Sequence, residues 1–291
     1  MPFSLKPLRQ IVSSDKIVDS RLLNLLGVQV QRTLAARLLY NLRPVSVDKS
    51  VKDKVDELRS EGLVLWPNFL PPDHFEGIQR EYLPLLEDHA DKLTVYKHGP
   101  NTYEIAIIRD FDARVLPYTY KFLAEPRLRA ILEAAEKRPL HGLSGHRALE
   151  RLTQGPVGGL EDPETQLHSD TFFANHKAWL YLSDVEMDNG PFVYVKRSHR
   201  LTLTHLYYIY KESCTRNAPS RRITRDELER LGLQETIVTC PKNTLVIANV
   251  VGFHRRVRGR PGCRRYAVHV SLRVNPFNPF TWWRYRSPDF D

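Results

Sequence analysis

Two histidines and one aspartate in the second half of the chain have the side chains of a metal site. His168 and Asp170 lie in the stretch QLHSDTFF, and their i, i+2 spacing places both side chains on the same side of a strand or of its end. His254 ends the apolar run NTLVIANVVGFH, which we predict to be one strand. Two imidazoles and one carboxylate suit iron(II) in oxygen-activating enzymes, because this ligand set leaves coordination positions open. A His-x-Asp triplet alone is weak evidence for a metal site in a chain with 11 histidines, so the surrounding sequence must support the assignment.

An arginine on a later predicted strand could bind an anionic co-substrate. Arg265 opens the alternating run RYAVHVSLRV, in which Arg265 and His269 would point to the same side. An arginine that faces the interior needs a carboxylate or phosphate partner. The distal carboxylate of a keto acid, held by both arms of the guanidinium group, would satisfy this requirement.

The part of the chain that carries these residues is predicted to be rich in β-strands. Short β-rich runs alternate there with Gly, Pro, Asn and Asp. The runs are RALERLTQ, KAWLYLSDV, FVYVKRS, QETIVTC, NTLVIANVVGFH and RYAVHVSLRV. Strands at this spacing predict an antiparallel barrel or a double-sheet jelly roll. A polar insertion at about 203–233 is predicted to be helical in parts, and insertions of this kind commonly form lids.

The predicted helices lie mainly in the N-terminal half, so the fold class is α+β, with helices that wrap a double-stranded β-helix (jelly-roll, cupin-like) core. Ser20–Arg43 is predicted as one helix, with Ser20 as its cap and Gly27 as a weak point. Further helices are predicted at 46–62, after the prolines at 71 and 72, and at 125–139, where Pro126 suits the first turn.

The second half of the helix at Ser20–Arg43 is amphipathic. One side of a 3.6-residue wheel carries Val30, Leu34, Leu38, Leu39 and Leu42, whereas Arg32, Arg37 and Arg43 lie near its edges or opposite. Such a helix could lie on an anionic membrane with its arginines toward the headgroups. The alternative is a helix packed on its own domain, as most amphipathic helices are.

Composition sets the broad class of the protein. With 291 residues, 42% hydrophobic and 26% charged, the sequence is that of an ordinary globular protein. It has no run of about 20 apolar residues that would span a membrane, and we see no secretory signal. Three cysteines without C-x-x-C spacing favour a reducing compartment, so we expect the cytoplasm, or the inner face of the cytoplasmic membrane if the N-terminal helix lies on it. The formal net charge of +9 predicts an anionic partner: nucleic acid, a membrane surface or an acidic substrate.

Several motifs together resemble the phytanoyl-CoA dioxygenase family of iron(II)/2-oxoglutarate-dependent oxygenases. The resemblance covers about 55–275, thinly between 88 and 147. It begins at LRSEGLVLWPNFLPPDHFEGIQREY and resumes with QLHSDTFF, DNGPFVYVKRSHR, the Phe-His pair at His254 and the Arg265 strand. We therefore expect an N-terminal helical extension at 1–45 and a single oxygenase domain at 46–291.

The resemblance implies a set of site residues and co-substrates. His168, Asp170 and His254 would ligate iron(II), and Arg265 would hold the far carboxylate of 2-oxoglutarate, with O2 as the second co-substrate. Halogenating relatives have a small residue in the place of Asp170, so the aspartate implies hydroxylation of an aliphatic C–H bond with release of succinate and CO2. Further candidates for the lining of the co-substrate pocket are Thr153, Gln166 and Tyr266.

The sequence departs from the family pattern at two places. The family usually has Pro-Gly before Ser-His, and this chain has Lys196 and Arg197. A small polar residue that often helps to bind the co-substrate is replaced by Arg256, two residues after His254. These departures affect the surroundings of the co-substrate and leave the three ligand positions filled.

The substrate is open between two classes. Net charge and the amphipathic helix favour an anionic, membrane-linked substrate; length and basicity are also similar to the Kdo hydroxylase of lipopolysaccharide inner-core assembly, so a glycolipid such as a Kdo-containing lipopolysaccharide is one candidate. The alternative is a soluble metabolite, such as an amino acid, a natural-product intermediate or an acyl-CoA, in which case Ser20–Arg43 should pack entirely on the core. A third reading is a nucleic-acid-binding protein. The basic residues are dispersed and no RRM, helix-turn-helix or zinc-finger pattern occurs, so we expect no nucleic-acid partner.

Overall fold

The computed structural model describes residues 6–88, 93–140, 146–156, 161–215 and 221–278. Its helices are α1 (Lys6–Ile11), α2 (Arg21–Leu25), α3 (Val28–Leu42), α4 (Lys52–Glu61), α5 (Pro72–Asp88), α6 (Pro117–Leu123), α7 (Pro126–Glu136), α8 (Leu203–Thr215) and α9 (Arg225–Arg230). Its strands are β1 (Leu63–Trp66), β2 (Thr94–His98), β3 (Asn101–Ile107), β4 (His146–Thr153), β5 (His168–Ser169), β6 (His176–Tyr181), β7 (Phe192–Val195), β8 (Arg221–Arg222), β9 (Glu235–Val238), β10 (Leu245–Asn249), β11 (His254–Arg256) and β12 (Arg264–Ser271).

The strands form two antiparallel sheets that face each other. The larger sheet has the order β1-β10-β6-β12-β4-β3-β2, and the smaller has the order β8-β5-β11-β7-β9. Tyr181 and Ala267 of the larger sheet meet Phe192 and Tyr194 of the smaller one in a buried apolar cluster. Burial of this apolar surface between the sheets stabilises the sandwich. The predicted double-stranded β-helix core is therefore confirmed.

Helices cover the outer face of the larger sheet. Successive side chains of a strand point to opposite faces, so Leu180 and Val268 point away from the smaller sheet, and both are fully buried. They belong to one apolar cluster with Val55 of α4, Ile78 of α5 and Leu128 of α7. The prediction of helices that wrap a β-core is confirmed, and the class is α+β.

The predicted helix at Ser20–Arg43 is two helices. The hydroxyl of Ser20 accepts a hydrogen bond from the backbone N–H of Leu23, so its predicted role as the cap of α2 is confirmed. Gly27 has a φ of 77°, and α3 begins directly after it. A residue without Cβ adopts this left-handed conformation without steric penalty, which is why the break falls there.

The N-terminal helices bury polar side chains and expose most of their leucines. Asn24 is fully buried and donates to the backbone oxygen of Ser213 in α8, at 2.9 Å. Arg32 is only 3% exposed, and its guanidinium group lies 4.2 Å from the ring centroid of Phe172. Arg32 was expected near the edge of the apolar side or opposite it, facing headgroups if the helix lay on a membrane; in the structure it is buried against the domain. Three backbone carbonyls accept its hydrogen bonds, which satisfies the buried charge.

Two further regions differ in detail from the sequence expectations. The run NTLVIANVVGFH is not one strand, because β10 ends at Asn249 and a turn carries the chain to β11 in the other sheet. The insertion at 203–233 contains α8, β8 and α9; β8 pairs with β5, opposite the first metal-ligand candidate. Within the described residues, none of the helices has the length and apolar character needed to cross a membrane.

Candidate metal centre

Neighbouring strands of the smaller sheet bring the predicted ligands together. His168 on β5 is paired directly with His254 on β11, and their ring centroids are 4.5 Å apart. Asp170 follows β5, where its backbone N–H donates to the carbonyl of Val250 at 3.0 Å. The Nε2 atoms of His168 and His254 lie 3.8 Å and 3.6 Å from the Asp170 carboxylate. The three side chains thus offer ligand atoms that all lie within 4.8 Å of one another.

Backbone carbonyls orient both imidazoles. The Nδ1 of His168 lies 2.8 Å from the carbonyl oxygen of Gln166, and the Nδ1 of His254 lies 2.9 Å from that of Gly252. A carbonyl only accepts, so each Nδ1 carries the proton and each Nε2 presents a lone pair. Hydrogen bonds of this kind fix the tautomer of metal-bound histidines. The donor set is therefore arranged for a divalent cation.

The surroundings keep His168 and Asp170 in the protonation state that metal binding requires. Burial and repulsion from His254 lower the pKa of His168 to about 4, so its imidazole is neutral at pH 7. Burial alone would raise the pKa of Asp170, but the charge of Lys177 holds it well below its usual range. The Nζ of Lys177 lies 2.7 Å from one Asp170 oxygen. The Nζ of Lys16 lies 4.0 Å from the other, beyond hydrogen-bond distance, so a metal ion could bind that oxygen.

The triad lies at a cavity of about 270 Å³ between the two sheets. Asp170 and His254 line it together with residues of β2, β3, β4, β6, β7, β11 and β12. Those residues include Tyr96, Tyr103, Glu150, Lys177, Trp179, Tyr181, Phe192, Arg255, Arg256, Arg265 and His269. The rings of Tyr96 and Tyr103 stack at 5.1 Å and form a flat aromatic wall. A cavity of this size, apolar in part and with convergent polar groups, is typical of a small-molecule site.

Among the arginines that line the cavity, Arg265 has no carboxylate partner in the described part of the chain. Arg255 bonds to Glu235 at 2.8 Å, and Arg256 bonds to Asp162 at 2.7 Å and to the hydroxyl of Tyr103. Arg265 donates only to the carbonyl of Gly190 and lies over the Tyr181 ring. The positive charge of Arg265 is therefore available to an anion that enters the cavity.

The other three predicted pocket residues do not line this cavity. The side chain of Gln166 is exposed, and its contribution is the backbone oxygen that accepts from His168. Thr153 pairs with Arg264 at the end of β4. Tyr266 points to the helical side of the sheet, where its ring packs against Tyr82 at 5.2 Å. The alternation of β12 explains this, because Arg265 and Tyr266 must face opposite sides.

A second group of side chains that could ligate a metal lies beside the same cavity, which Glu150 and His269 line. His146, Glu150 and His269 on β4 and β12 also have ligand atoms within 4.8 Å of one another. Here the Nδ1 of His269 is 2.6 Å from Glu150, so a hydrogen bond already occupies both atoms. In the first cluster both Nδ1 atoms bond to backbone carbonyls and both Nε2 atoms point to the carboxylate, so His168, Asp170 and His254 are the better site.

Sequence reasoning missed several functional candidates because their partners are distant in the chain. Glu150 and Lys177 face the cavity only through strand pairing, and no local motif marks either of them. Glu164 places a carboxylate oxygen 3.4 Å from the Nε2 of His168, and the i, i+4 spacing was the signal that could have found it. Arg197 stands where the family that the sequence resembles usually has glycine. Its φ of 65° lies in the left-handed region, which glycine adopts readily.

Comparison with known proteins identifies the fold and no sequence family. No protein-family model matches the chain, and no curated protein sequence matches it significantly. The crystal structure of the epimerase SnoN with Fe3+, α-ketoglutarate and nogalamycin RO superposes with a TM-score of 0.52 at 17% identity, over 76% of this chain and 82% of SnoN. HygX from Streptomyces hygroscopicus with nickel, 2-oxoglutarate and hygromycin B gives a TM-score of 0.48 at 16% identity, over 80% of this chain and 90% of HygX. The chain therefore has the fold of the non-heme, α-ketoglutarate-dependent enzyme SnoN.

Proposed function

We propose that the protein is an iron(II)- and 2-oxoglutarate-dependent oxygenase. The observation that carries the proposal is the arrangement of His168, Asp170 and His254 in one cavity with Arg265. Two neutral imidazoles and one carboxylate match the ligand preference of non-heme iron(II) and leave coordination positions open. Arg265, without a carboxylate partner among the described residues, supplies the cation that a dicarboxylic keto acid needs.

Each side chain has a defined task in this proposal. His168, Asp170 and His254 would hold the iron, which supplies oxygen activation coupled to the decarboxylation of 2-oxoglutarate. Lys177 holds Asp170 in one orientation through its 2.7 Å ion pair. Arg265 would bind the distal carboxylate of the co-substrate and so fix the position of its keto-acid end. The walls formed by Trp179 and Phe192 exclude water from the reacting groups.

We further propose that the reaction is hydroxylation of an aliphatic C–H bond. Asp170 supports it, because a carboxylate at this position leaves less room for a halide ligand. For the substrate, the net charge of +9 favours an anionic, membrane-linked molecule such as the Kdo sugar of lipopolysaccharide. The alternative is a soluble metabolite: an amino acid, a natural-product intermediate or an acyl-CoA.

The test is formation of succinate from 2-oxoglutarate by iron-loaded protein in air, with membrane-lipid and small-molecule extracts as substrate sources. We expect His168→Ala to abolish succinate formation. His146→Ala is the matched control, since it removes a histidine from the second cluster of the same cavity, and it should keep metal-dependent turnover. Loss of turnover in the control alone would move the iron site to the second cluster. Stimulation by the small-molecule extract alone would exclude the membrane-linked substrate.

A further inference from the structure

Two N-terminal helices expose several leucines. Leu22, Leu25 and Leu26 in and after α2 are 68%, 50% and 64% exposed, and Leu34, Leu38 and Leu42 of α3 are 45%, 59% and 65% exposed. The spacing of the α3 leucines is i, i+4, i+8, so they form one stripe along the helix. We call these six residues the leucine face. Isolated exposed leucines are normal, but a contiguous apolar patch marks an interaction site.

Helix α8 extends this surface with aromatic residues. It packs on α2 and α3, and the hydroxyl of Tyr210 donates to the carbonyl of Leu25 at 3.2 Å. Leu203 and Tyr207 of α8 are 85% and 61% exposed. Tyrosine is enriched where a protein meets the interface between lipid and water, because its ring is apolar and its hydroxyl is polar.

The orientation of α3 is the reverse of that of an ordinary surface helix. Its buried residues are Gln29, Arg32, Thr33 and Ala36, whereas the leucines point outward. Arg32 fixes this orientation through hydrogen bonds to Gln29 and to the carbonyls of Ile11, Ser13 and Asp15. The hydroxyl of Tyr40 donates to the carbonyl of Ala135 in α7, and Arg32 lies over the Phe172 ring, so α3 is held on the domain by contacts that leave Leu34, Leu38 and Leu42 exposed.

The charge near the leucine face is positive. Residues 6–45 contain seven basic and two acidic side chains, a net charge of +5 out of the +9 of the whole chain. The exposed residues of α3 are Gln31, Leu34, Ala35, Leu38, Asn41 and Leu42, so no acidic side chain interrupts that face. A surface of this kind is complementary to an anionic bilayer.

A basic cavity of about 260 Å³ opens beside the stripe on α3. Arg37, Tyr40 and Asn41 of α3 line it together with Arg59 and Lys137, and no carboxylate is among the described residues of its lining. Burial and repulsion from Arg59, Arg37 and Arg43 lower the pKa of Lys137. Positive charges gathered around a cavity without an acidic partner are typical of an anion-binding site.

We propose that the leucine face and α8 rest on an anionic membrane surface, and that the Arg37–Arg59–Lys137 cavity binds the phosphate of a lipid headgroup. The leucines and tyrosines would enter the interface between headgroups and acyl chains, while the cavity, opening on the same helix, receives the headgroup. The N-terminal helices also adjoin the metal triad, since Lys16 lies 4.0 Å from Asp170. The proposal does not depend on the proposed reaction, because it concerns the outer surface of the protein.

The test is co-sedimentation of the full chain with vesicles of phosphatidylcholine alone and of phosphatidylcholine with about one third phosphatidylglycerol. We expect binding to the anionic vesicles, weakened by salt. Leu38→Asn with Leu42→Asn should lower the partition coefficient at least about tenfold, because both leucines leave the interface. Arg37→Gln or Lys137→Gln should lower it about fivefold on anionic vesicles.

Matched controls separate this test from general effects and from the reaction. Ile237→Asn on β9 and Arg114→Gln before α6 change exposed residues outside the three helices and should bind as wild type. His168→Ala should also bind normally, so loss of the reaction and loss of membrane binding are distinguishable. Absence of binding to anionic vesicles at low salt would overturn the proposal. So would a dimer in analytical ultracentrifugation that Leu38→Asn with Leu42→Asn dissociates, since the face would then be a contact between two copies of the chain.

Discussion

The contacts of Arg265 differ from those of the two other arginines that line the cavity. Arg255 and Arg256 line the same cavity, yet each is bonded to a carboxylate, Glu235 and Asp162. Arg265 faces the cavity with a carbonyl and an aromatic ring as its contacts. Arg265 alone of these three arginines has no carboxylate partner among the described residues, so we assign it, and not Arg255 or Arg256, to the co-substrate.

Replacement of Arg265 should weaken binding of 2-oxoglutarate. In Arg265→Gln the distal carboxylate loses its charged partner, and we expect a loss of about 2–5 kcal/mol, a factor of roughly 30 or more in the dissociation constant. Calorimetric titration of the metal-loaded protein measures it. Arg264→Gln is the control, because Arg264 is exposed on the same strand. If Arg265→Gln and Arg264→Gln weakened 2-oxoglutarate binding equally, the assignment of Arg265 to the co-substrate would be wrong.

His199 should make stability depend on pH. Burial lowers the pKa of His199 to about 4; its Nε2 donates to the carbonyl of Arg59 at 3.0 Å. A β-carbon on Gly62 would lie 2.4 Å from the Nδ1 of His199, so the ring packs closely against the backbone at Gly62. A water molecule that would solvate a second proton on Nδ1 therefore has little room. The unfolded chain takes up a proton below about pH 6.5 while the folded protein stays neutral there, so stability falls as pH drops from about 6.5 to 4.

The size of this effect is accessible by urea denaturation at several pH values. We expect His199 to account for about 2 kcal/mol of the lost stability between pH 6.5 and 4. His199→Gln should lower stability at pH 7 and flatten this part of the pH profile. A profile with the same slope in the variant would show that another group causes the dependence.

At the scale of elements, the buried Arg32 holds the N-terminal segment together and packs over Phe172, which follows β5. Arg32 bonds to three carbonyls of the segment between α1 and α2. In Arg32→Ala those three carbonyl oxygens would lose this donor, at a cost of about 2–4 kcal/mol. Hydrogen exchange of residues 6–42 should therefore become faster in this variant, and that of the β-strands should not change.

The matched control for this prediction is Arg21→Ala. Arg21 is exposed in the first turn of α2, and its removal leaves no buried carbonyl unsatisfied. Exchange of residues 6–42 should stay as in the wild type. Equal acceleration in both variants would mean that helix propensity, and not the buried arginine, determines the stability of this part.

The sequence predicted elements well where a local pattern was strong. The β12 run RYAVHVSLRV alternates clearly, and the strand spans Arg264–Ser271. The run NTLVIANVVGFH was wrongly read as one strand, because a continuous apolar stretch does not show where a chain passes from one sheet to the other. The exposed strand β2 and its partner β3 were missed, since pairing with β4 stabilises them and leaves little local signal.

The sequence could predict only those site residues whose side-chain types occur in a recognisable order along the chain. His168, Asp170, His254 and Arg265 lie around one cavity, as their spacing suggested. Thr153 and Tyr266 do not line this cavity, because strand register pairs Thr153 with Arg264 at the end of β4 and turns Tyr266 toward Tyr82. Lys177 and Glu150 could not be foreseen, because only the pairing of β6, β12 and β4 brings them to the cavity.

At the scale of the whole molecule, the N-terminal segment and the β-core meet at the site. Lys16 approaches Asp170, Arg32 lies over Phe172, and α8 of the insertion bonds to α2. The segment at 1–45 was expected to be an extension, and its described part contributes side chains next to the metal triad. In our proposal the same segment contacts the membrane, so the surface that recruits the protein lies next to its site of reaction.

The central claim is that iron binds at His168, Asp170 and His254, and a crystal grown with Mn2+ and 2-oxoglutarate tests it most directly. The anomalous difference map should place one metal ion about 2.0–2.2 Å from the Nε2 atoms of both histidines and from one Asp170 oxygen. The distal carboxylate of 2-oxoglutarate should lie on Arg265. An ion held instead by His146, Glu150 and His269, or a co-substrate away from Arg265, would contradict the account.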